Sequence, residues 1–231
     1  MKENKKFRKN LIKERLLLLM PLLVFMIIYL KGFSYIENQD LGYYEVLGTS
    51  LDKMIPFCEI FVVPYMLWFV YVPFNVVYLC FKDKEAYVRL AWVLCLGMSL
   101  FLVLSILAPN ALNLRPEVMP RDNIFMRFVA YLYSIDTPTN VFPSIHVFNT
   151  LAVMVAVHWS SLKNVVRPVL YRVCVDIIGV SIILSTMFIK QHSVLDVMAG
   201  IFLCTLFSLV LYQSRQPAIG TVADSRRIRQ M

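Results

Sequence analysis

The fold is decided by residues 169–212, which read VLYRVCVDIIGVSIILSTMFI, then KQHS, then VLDVMAGIFLCTLFSLVLY. The two apolar runs, about Val169–Ile189 and Val194–Tyr212, each approach the roughly 20 residues that a helix needs to cross a bilayer. The polar residues between them are too few for anything longer than a turn. This stretch therefore predicts two transmembrane helices that meet at one membrane face.

Four further apolar runs precede this pair along the chain. They are about Leu16–Leu30, Ile55–Phe81, Leu90–Leu107 and Ser144–Trp159. The first run follows a basic stretch, as in a signal peptide, but no small-residue cleavage site comes after it, so we interpret it as a retained helix. The sequence thus predicts an all-α, polytopic membrane bundle of six transmembrane helices. We expect one domain over residues 1–213, with a basic arm at about 1–15 and a polar, basic tail at 214–231.

The composition supports a membrane protein and argues against other classes. Of the 231 residues, 59% are hydrophobic and 16% are charged. In a soluble domain about half of the residues are hydrophobic and about a quarter are charged. The net charge of +8 does not indicate a nucleic-acid partner, because the charges lie between apolar runs rather than on one basic face. The five cysteines are odd in number and contain no CxxC, so they predict neither a disulfide framework nor a metal site.

The distribution of Lys and Arg predicts the orientation in the membrane. Seventeen of the 23 lie in the N-terminal arm, the second and fourth connections and the C-terminal tail, and six lie in the other connections. Positive residues accumulate on the cytoplasmic side, so both termini are predicted to be cytoplasmic.

Polar residues toward the opposite face form four clusters. They are Arg115-Pro116, the stretch Asn140–His146, Lys190-Gln-His192, and Asp196. The predicted orientation places all four at the external face, which indicates a functional site there.

His192 and Asp196 are four residues apart, so on a helix they share one face. A carboxylate there can accept the ring N–H and leave the other nitrogen nucleophilic. The alternative is a His–Asp pair that only caps a helix.

The residues Pro143-Ser144-Ile-His146 are typical of a helix start, whose free N–H groups suit a phosphate. His146 could donate a proton to a leaving oxygen. Arg115 and Lys190 offer cationic donors to phosphate. The alternatives are an ordinary capped helix for the first group and lipid headgroup contacts for the two cations.

These stretches resemble the three signatures of the type 2 phosphatidic acid phosphatase superfamily, KxxxxxxRP, PSGH and SRxxxxxHxxxD. The resemblance implies hydrolysis of a lipid phosphate or diphosphate through a phosphohistidine, without metal or cofactor. It implies that His192 is the nucleophile, that Asp196 orients it and that His146 protonates the leaving group. It also implies that Arg115 and Ser144 hold the phosphoryl oxygens.

Three positions depart from these signatures. Ala108 stands where the first has lysine, Ile145 where the second has glycine, and Thr186 where the third has arginine. Our hypothesis is that Lys190 replaces one of the two missing cations. The loss of charge favours a less anionic substrate, such as a phosphodiester. This resembles the lipid phosphotransferases that include inositol phosphorylceramide and sphingomyelin synthases.

The sequence therefore predicts a lipid phosphatase with a lipid phosphate substrate, embedded in the bilayer of a bacterial plasma membrane, with its site on the extracytoplasmic side. One alternative is a lipid headgroup phosphotransferase. The other is a binder or transporter of lipid phosphates that has lost the chemistry. The sequence leaves the oligomeric state open.

Overall fold

The computed structural model describes residues 2–39, 43–162 and 167–212. The predicted polar tail at 214–231 lies outside the described residues. The described part is mostly helical, with eight α-helices, two three-residue strands and one 3-10 turn, Glu59–Phe61. The helices are α1 (Lys2–Glu37), α2 (Ser50–Met54), α3 (Val62–Lys82), α4 (Lys84–Leu107), α5 (Ile124–Ile135), α6 (Ile145–Trp159), α7 (Pro168–Phe188) and α8 (Val194–Tyr212).

Five of these helices are long and apolar enough to cross a membrane. They are α1 from Lys9 onward, α3 with the preceding 3-10 turn, α4, α7 and α8. Large apolar side chains remain exposed along them, for example Ile28, Val70 and Phe202, as expected where lipid rather than water surrounds the bundle. The protein is therefore an integral membrane protein. The remaining predicted span, Ser144–Trp159, corresponds to α6, whose 15 residues fall short of the usual length for crossing a bilayer. The count of six spans and the orientation in the membrane therefore stay predictions.

The observed elements correct several predicted boundaries. The first helix covers Lys2–Glu37, far more than the predicted Leu16–Leu30, because the basic arm continues the same helix. The second predicted run began at Ile55, but α3 begins only at Val62. Three further elements were not predicted from the sequence: α2, α5 and a short parallel ladder between β1 (Glu45–Leu47) and β2 (Asn110–Leu112). The fold is thus not purely helical.

α6 lies at the centre of the bundle. It contacts α3, α4, α7 and α8, and Val147, Val153 and Ala156 on it are completely buried. Gly200 of α8 permits a close approach at one end, because a Cβ there would lie 2.9 Å from the Ser144 carbonyl oxygen. The start of α6 is consequently held against the start of α8.

The segment that leads into α6 is fixed by two neighbouring side chains. Asn110 Oδ1 accepts hydrogen bonds from the backbone N–H groups of Val141 (2.9 Å) and Phe142 (3.0 Å). Glu37, the last residue of α1, accepts from Asn140 Nδ2 at 2.8 Å. The non-helical chain before α6 is therefore satisfied by protein groups rather than by lipid.

Candidate active site

The first turn of α8 is closed by a reciprocal pair of hydrogen bonds. The Ser193 N–H donates to Asp196 Oδ2 at 2.7 Å, and the Asp196 N–H donates to Ser193 Oγ at 3.2 Å. This is a capping box, in which Ser193 is the N-cap residue and Asp196 is the third residue of the helix. It fixes Asp196, which is fully buried, and it places His192 immediately before the helix.

His192 and Asp196 lie close together, but His192 precedes α8, whereas the four-residue spacing had predicted that the two share one face of a helix. His192 Nδ1 lies 3.6 Å from Asp196 Oδ2. Within the described part of the chain, His192 Nδ1 and Asp196 Oδ1 are both buried without a hydrogen-bond partner. The carboxylate is thus the natural acceptor for an Nδ1–H, which leaves Nε2 unprotonated.

The second histidine stands at the start of α6. Ser144 is the N-cap: its Oγ accepts from the Val147 N–H at 3.3 Å, and its own N–H donates to the Asp196 carbonyl at 3.1 Å. His146 Nδ1 then lies 3.4 Å from His192 Nε2. The structure therefore brings together the two histidines that the sequence analysis placed on separate helices.

Both histidines border one cavity of about 260 Å³. Its apolar wall comes mainly from α1, α3, α4 and α5, and the centroid of the Trp68 ring lies 4.4 Å from that of the His146 ring. The Trp68 Nε1–H is buried and, among the described residues, has no acceptor. A ligand in this cavity would thus meet two imidazoles and a largely aromatic surface.

Arg115 lies beside this cavity but does not line it. Its guanidinium donates to the carbonyl oxygens of Tyr133 (3.3 Å) and Asp136 (2.7 Å) and to Gln191 Oε1, and it stacks 4.2 Å above the Tyr133 ring. Burial lowers the pKa of Arg115, and the nearby Asp136 carboxylate opposes that shift. Arg115 therefore links the end of α5 to the α7–α8 turn.

Lys190 has a different set of contacts from those expected of a phosphate ligand. Its backbone is left-handed, with φ of 56°, and its ammonium donates to the carbonyls of Asp52 (2.8 Å) and Ile55 (2.5 Å). Burial lowers the pKa of this ammonium. Lys190 thus fastens α2 and the residue that follows it to the α7–α8 turn, and it does not line the cavity.

Several polar residues of the cavity wall were given no role from the sequence, among them Asp136 and Gln191. Asp136 Oδ2 accepts from Gln191 Nε2 at 2.8 Å and from the Tyr65 hydroxyl at 3.1 Å. Burial raises the pKa of the Asp136 carboxyl, while His192 and Tyr65 act in the opposite direction. The position of Gln191 next to His192 was a signal, whereas nothing in the sequence joined Asp136 to the histidines.

The three positions that depart from the signatures have ordinary structural roles. Ala108 is the residue at which α4 ends, and Ile145 lines the cavity. The buried Thr186 donates its hydroxyl to the Ile183 carbonyl at 2.8 Å, and its own carbonyl accepts from the His192 N–H at 3.0 Å.

Two other observations concern metal ligands and a second His–Asp pair. Among the described residues, no group of three or more His, Cys, Asp or Glu side chains is placed to hold a metal ion. Asp176, a carboxylate within α7, pairs with His158 at 2.8 Å. That second His–Asp pair joins α6 to α7 away from the cavity.

Comparison with known proteins gives one match. The family model described as PAP2 superfamily matches residues 86–219, which is more than half of the chain. No curated protein and no solved structure matches significantly. The matched residues include α6, α8 and every predicted site residue.

Proposed function

Because the chain belongs to the PAP2 superfamily, whose members are phosphatases or phosphotransferases, we propose that it cleaves a lipid phosphate ester through a phosphohistidine at His192. The observation that carries this proposal is the relation of the two rings. His192 Nε2 faces His146 at 3.4 Å, and His192 Nδ1 faces the Asp196 carboxylate at 3.6 Å. One ring nitrogen is thus oriented and the other is available for attack.

The reaction proceeds in two steps. His192 Nε2 attacks phosphorus, a P–N bond forms and the P–O bond to the lipid alcohol breaks, while His146 gives that oxygen its proton. Water then attacks the phosphohistidine, His146 takes a proton from the water, and breakage of the P–N bond releases phosphate. Asp196 stabilises the positive charge that develops on the His192 ring in the first step.

Phosphate contacts are proposed for Arg115 and Ser144. Arg115 already hydrogen-bonds Gln191 in the cavity wall, so exchange of that bond for a phosphate oxygen would offer the guanidinium fork to the substrate. Ser144 would act through the α6 N-terminus that it caps, whose N–H groups and partial positive charge favour an anion. Lys190 contributes by holding the turn that carries His192.

The proposed setting is a bacterial plasma membrane, with the site at the extracytoplasmic face. Two features support it. Most Lys and Arg residues lie in the N-terminal arm, the second and fourth connections and the C-terminal tail, which are the segments on the opposite side from the site. The apolar cavity wall suits hydrocarbon chains that remain in the bilayer.

The decisive experiment uses purified protein in lipid nanodiscs with phosphatidate labelled at phosphorus. We expect wild type to release phosphate and to form an acid-labile phosphoenzyme, and His192→Ala to do neither. His158→Ala is the matched control, because it removes a histidine from the other His–Asp pair. Equal phosphate release by His192→Ala and wild type would refute the proposal.

A second candidate function is headgroup transfer, with an alcohol in place of water in the second step. The observation that favours it is the side-chain chemistry of the cavity wall, which includes no Lys or Arg among the described residues. The same assay separates the two functions, because a new labelled lipid indicates a transferase and free phosphate a phosphatase. Tight lipid binding without either product would instead support the non-catalytic alternative.

A further inference from the structure

The short helix α5 carries a stripe of apolar side chains that no described part of the protein covers. Four large residues of this 12-residue helix are more than half exposed: Ile124, Phe128, Tyr131 and Ile135. On a helix of 3.6 residues per turn, these four positions fall within a sector of about 60°. Contiguous apolar surface of this kind marks contact with a protein or with a membrane.

The buried side of α5 packs against the ends of other helices. Val129 and Leu132 form one buried cluster with Val62 and Tyr65, in the first turn of α3, and with Ile189, which follows α7. A helix of this length is too short to cross a bilayer. α5 therefore packs against the end of the bundle that carries the two histidines, rather than along the length of a span.

Polar residues occupy a third sector of α5. Arg127 and Ser134 are exposed and lie nearly opposite the buried Val129 around the helix axis. Arg127 also pairs with Asp122, just before the helix, at 3.2 Å. The apolar stripe thus lies between a face that contacts the protein and a face that is polar. This order is expected of a helix with protein below it, lipid beside it and water above it.

The lipid-facing surface of the bundle reaches the level of α5. Ile60 and Val63, in the 3-10 turn and the helix against which α5 packs, are both more than half exposed. Lipid that covers these two side chains lies at the level of the stripe. Tyr131 adds a ring of the kind enriched where hydrocarbon meets headgroups, and Arg127 adds a cation that suits lipid phosphates. Lipid is therefore the occupant that fits both the stripe and its polar border.

We propose that α5 is an interfacial helix, whose apolar stripe inserts into the leaflet at the histidine end of the bundle with Arg127 at the level of the headgroups. The helix is joined to the cavity, because Leu132 and Ile135 line the cavity and Asp136 follows directly. Ile135 belongs to both the stripe and the cavity wall. Insertion of α5 therefore holds the cavity at the depth of lipid headgroups.

The depth of α5 can be measured with nitroxide labels on the full chain in nanodiscs of phosphatidylethanolamine and phosphatidylglycerol. In a background with the five native cysteines replaced by alanine, the stripe is labelled at Phe128→Cys and Tyr131→Cys. Arg127→Cys and Ser134→Cys are the matched controls on the polar face of the same helix. Oxygen concentrates in hydrocarbon, whereas a soluble nickel chelate stays in water. We expect the ratio of oxygen to nickel collisions to be roughly threefold higher or more at the two stripe positions.

Two results of this measurement would overturn the inference. Greater access for nickel than for oxygen at all four positions would place the stripe in water. Low access for both reagents at Phe128→Cys and Tyr131→Cys would mean that a protein surface, such as a second copy of this chain, covers the stripe.

The consequence for turnover rests on the proposed function and is tested with the double variant Phe128→Ser/Tyr131→Ser, which keeps the buried residues of α5. We expect the ratio of kcat/KM for long-chain phosphatidate in nanodiscs to that for a short-chain, water-soluble phosphatidate to fall roughly tenfold. Leu170→Ser/Val173→Ser is the matched control, because it removes exposed apolar side chains near the other end of the bundle, and it should leave this ratio unchanged.

Failure of docking and failure of the chemistry give different patterns. Equal losses with both substrates in Phe128→Ser/Tyr131→Ser would show that the stripe does not hold the cavity at the headgroups. If wild type hydrolyses neither substrate, the proposed function fails, while the collision ratios still decide where α5 lies.

Discussion

Asp196 connects the cap of α8 to the orientation of the His192 ring. Its Oδ2 accepts from the Ser193 N–H and lies 3.6 Å from His192 Nδ1, while Oδ1 is buried without a partner among the described residues. A buried carboxylate with an unused oxygen is costly for stability unless it meets a donor. The arrangement therefore favours the tautomer of His192 that carries its proton on Nδ1, and this tautomer leaves Nε2 unprotonated beside His146 Nδ1 at 3.4 Å.

Replacement Asp196→Asn tests this coupling. The amide retains one oxygen for the Ser193 N–H, but its NH₂ group cannot accept the Nδ1 proton. We expect kcat for the lipid substrate to fall roughly 10²- to 10⁴-fold, with a smaller change in melting temperature. Asp176→Asn is the control, because it disrupts the other His–Asp pair. Equal losses in the two variants would mean that Asp196 acts only through general stability.

Lys190→Met tests whether this lysine stabilises the fold or binds phosphate. The variant leaves the carbonyls of Asp52 and Ile55 without their charged donor. We expect a loss of about 2 kcal/mol in the free energy of unfolding, measured by denaturant titration, with KM unchanged in the folded fraction. Lys53→Met, at an exposed lysine of α2, should change neither quantity. A raised KM at unchanged stability would instead assign Lys190 to phosphate binding.

For single residues, the sequence predicted contacts between residues that are close together in the chain. It did not predict contacts between residues that are far apart in the chain. The His192–Asp196 spacing and the Ser144 cap are local patterns, and the structure contains both. Asp136 reaches the cavity through bonds to Tyr65 and Gln191, which are 71 and 55 residues away. No periodicity or motif in one sequence encodes such pairings.

Among the elements, the starts of α6 and α8 form one unit. The Ser144 N–H donates to the Asp196 carbonyl at 3.1 Å, and Gly200 on the next turn of α8 permits this approach. The relative position of His146 and His192 therefore depends on how closely these two helices pack, and reaction rates are sensitive to displacements of about 1 Å.

Gly200→Ala should separate the two helix starts. The added Cβ would lie 2.9 Å from the Ser144 carbonyl, a backbone atom that cannot rotate away. We expect kcat to fall roughly ten- to a hundredfold, as measured by phosphate release. Gly32→Ala is the matched helical control, since its Cβ would meet only the flexible tip of Leu102 at 3.3 Å. Unchanged turnover in Gly200→Ala would show that the site tolerates this displacement.

Element prediction from the sequence succeeded where hydrophobicity alone decides the structure. Long apolar runs gave α3, α4, α7 and α8, because a bilayer requires a helix wherever such a run crosses it. The ladder of β1 and β2 has only three residue pairs, and α2 has five residues. Elements this short are stabilised by tertiary contacts, such as the Asp52 Oδ1 that accepts from the Val194 N–H at 2.7 Å, rather than by their own sequences.

For the molecule as a whole, the contacts at the two ends of α6 support a sixth span despite its 15 residues. One end meets the start of α8, through Ser144 and Asp196. At the other end, the Ser161 N–H donates to Asp83 Oδ2 at 2.9 Å, and Asp83 lies in the connection between α3 and α4. α6 and its flanking residues therefore extend from the level of one set of connections to the level of the other.

A helix of this length can cross a membrane where protein surrounds it. Backbone outside a helix is tolerated at membrane depth when protein groups satisfy its hydrogen bonds, and Asn110 does so for the residues just before α6. With six spans both termini lie on one side of the membrane, whereas with five they lie on opposite sides. The prediction that both termini are cytoplasmic therefore requires an even number of spans.

Cysteine accessibility tests the number of spans and the orientation in one experiment. In a background with all five native cysteines replaced by alanine, single cysteines are introduced at Thr137 and Ser161, which are exposed beyond the two ends of α6. We expect a membrane-impermeant maleimide to label Thr137→Cys in intact bacterial cells and Ser161→Cys only after permeabilisation. Val118→Cys and Lys82→Cys, beyond opposite ends of α4, calibrate the two sides. Labelling of Thr137→Cys and Ser161→Cys from the same side would mean that α6 does not span, and reversed labelling of all four would place the histidine cavity at the cytoplasmic face.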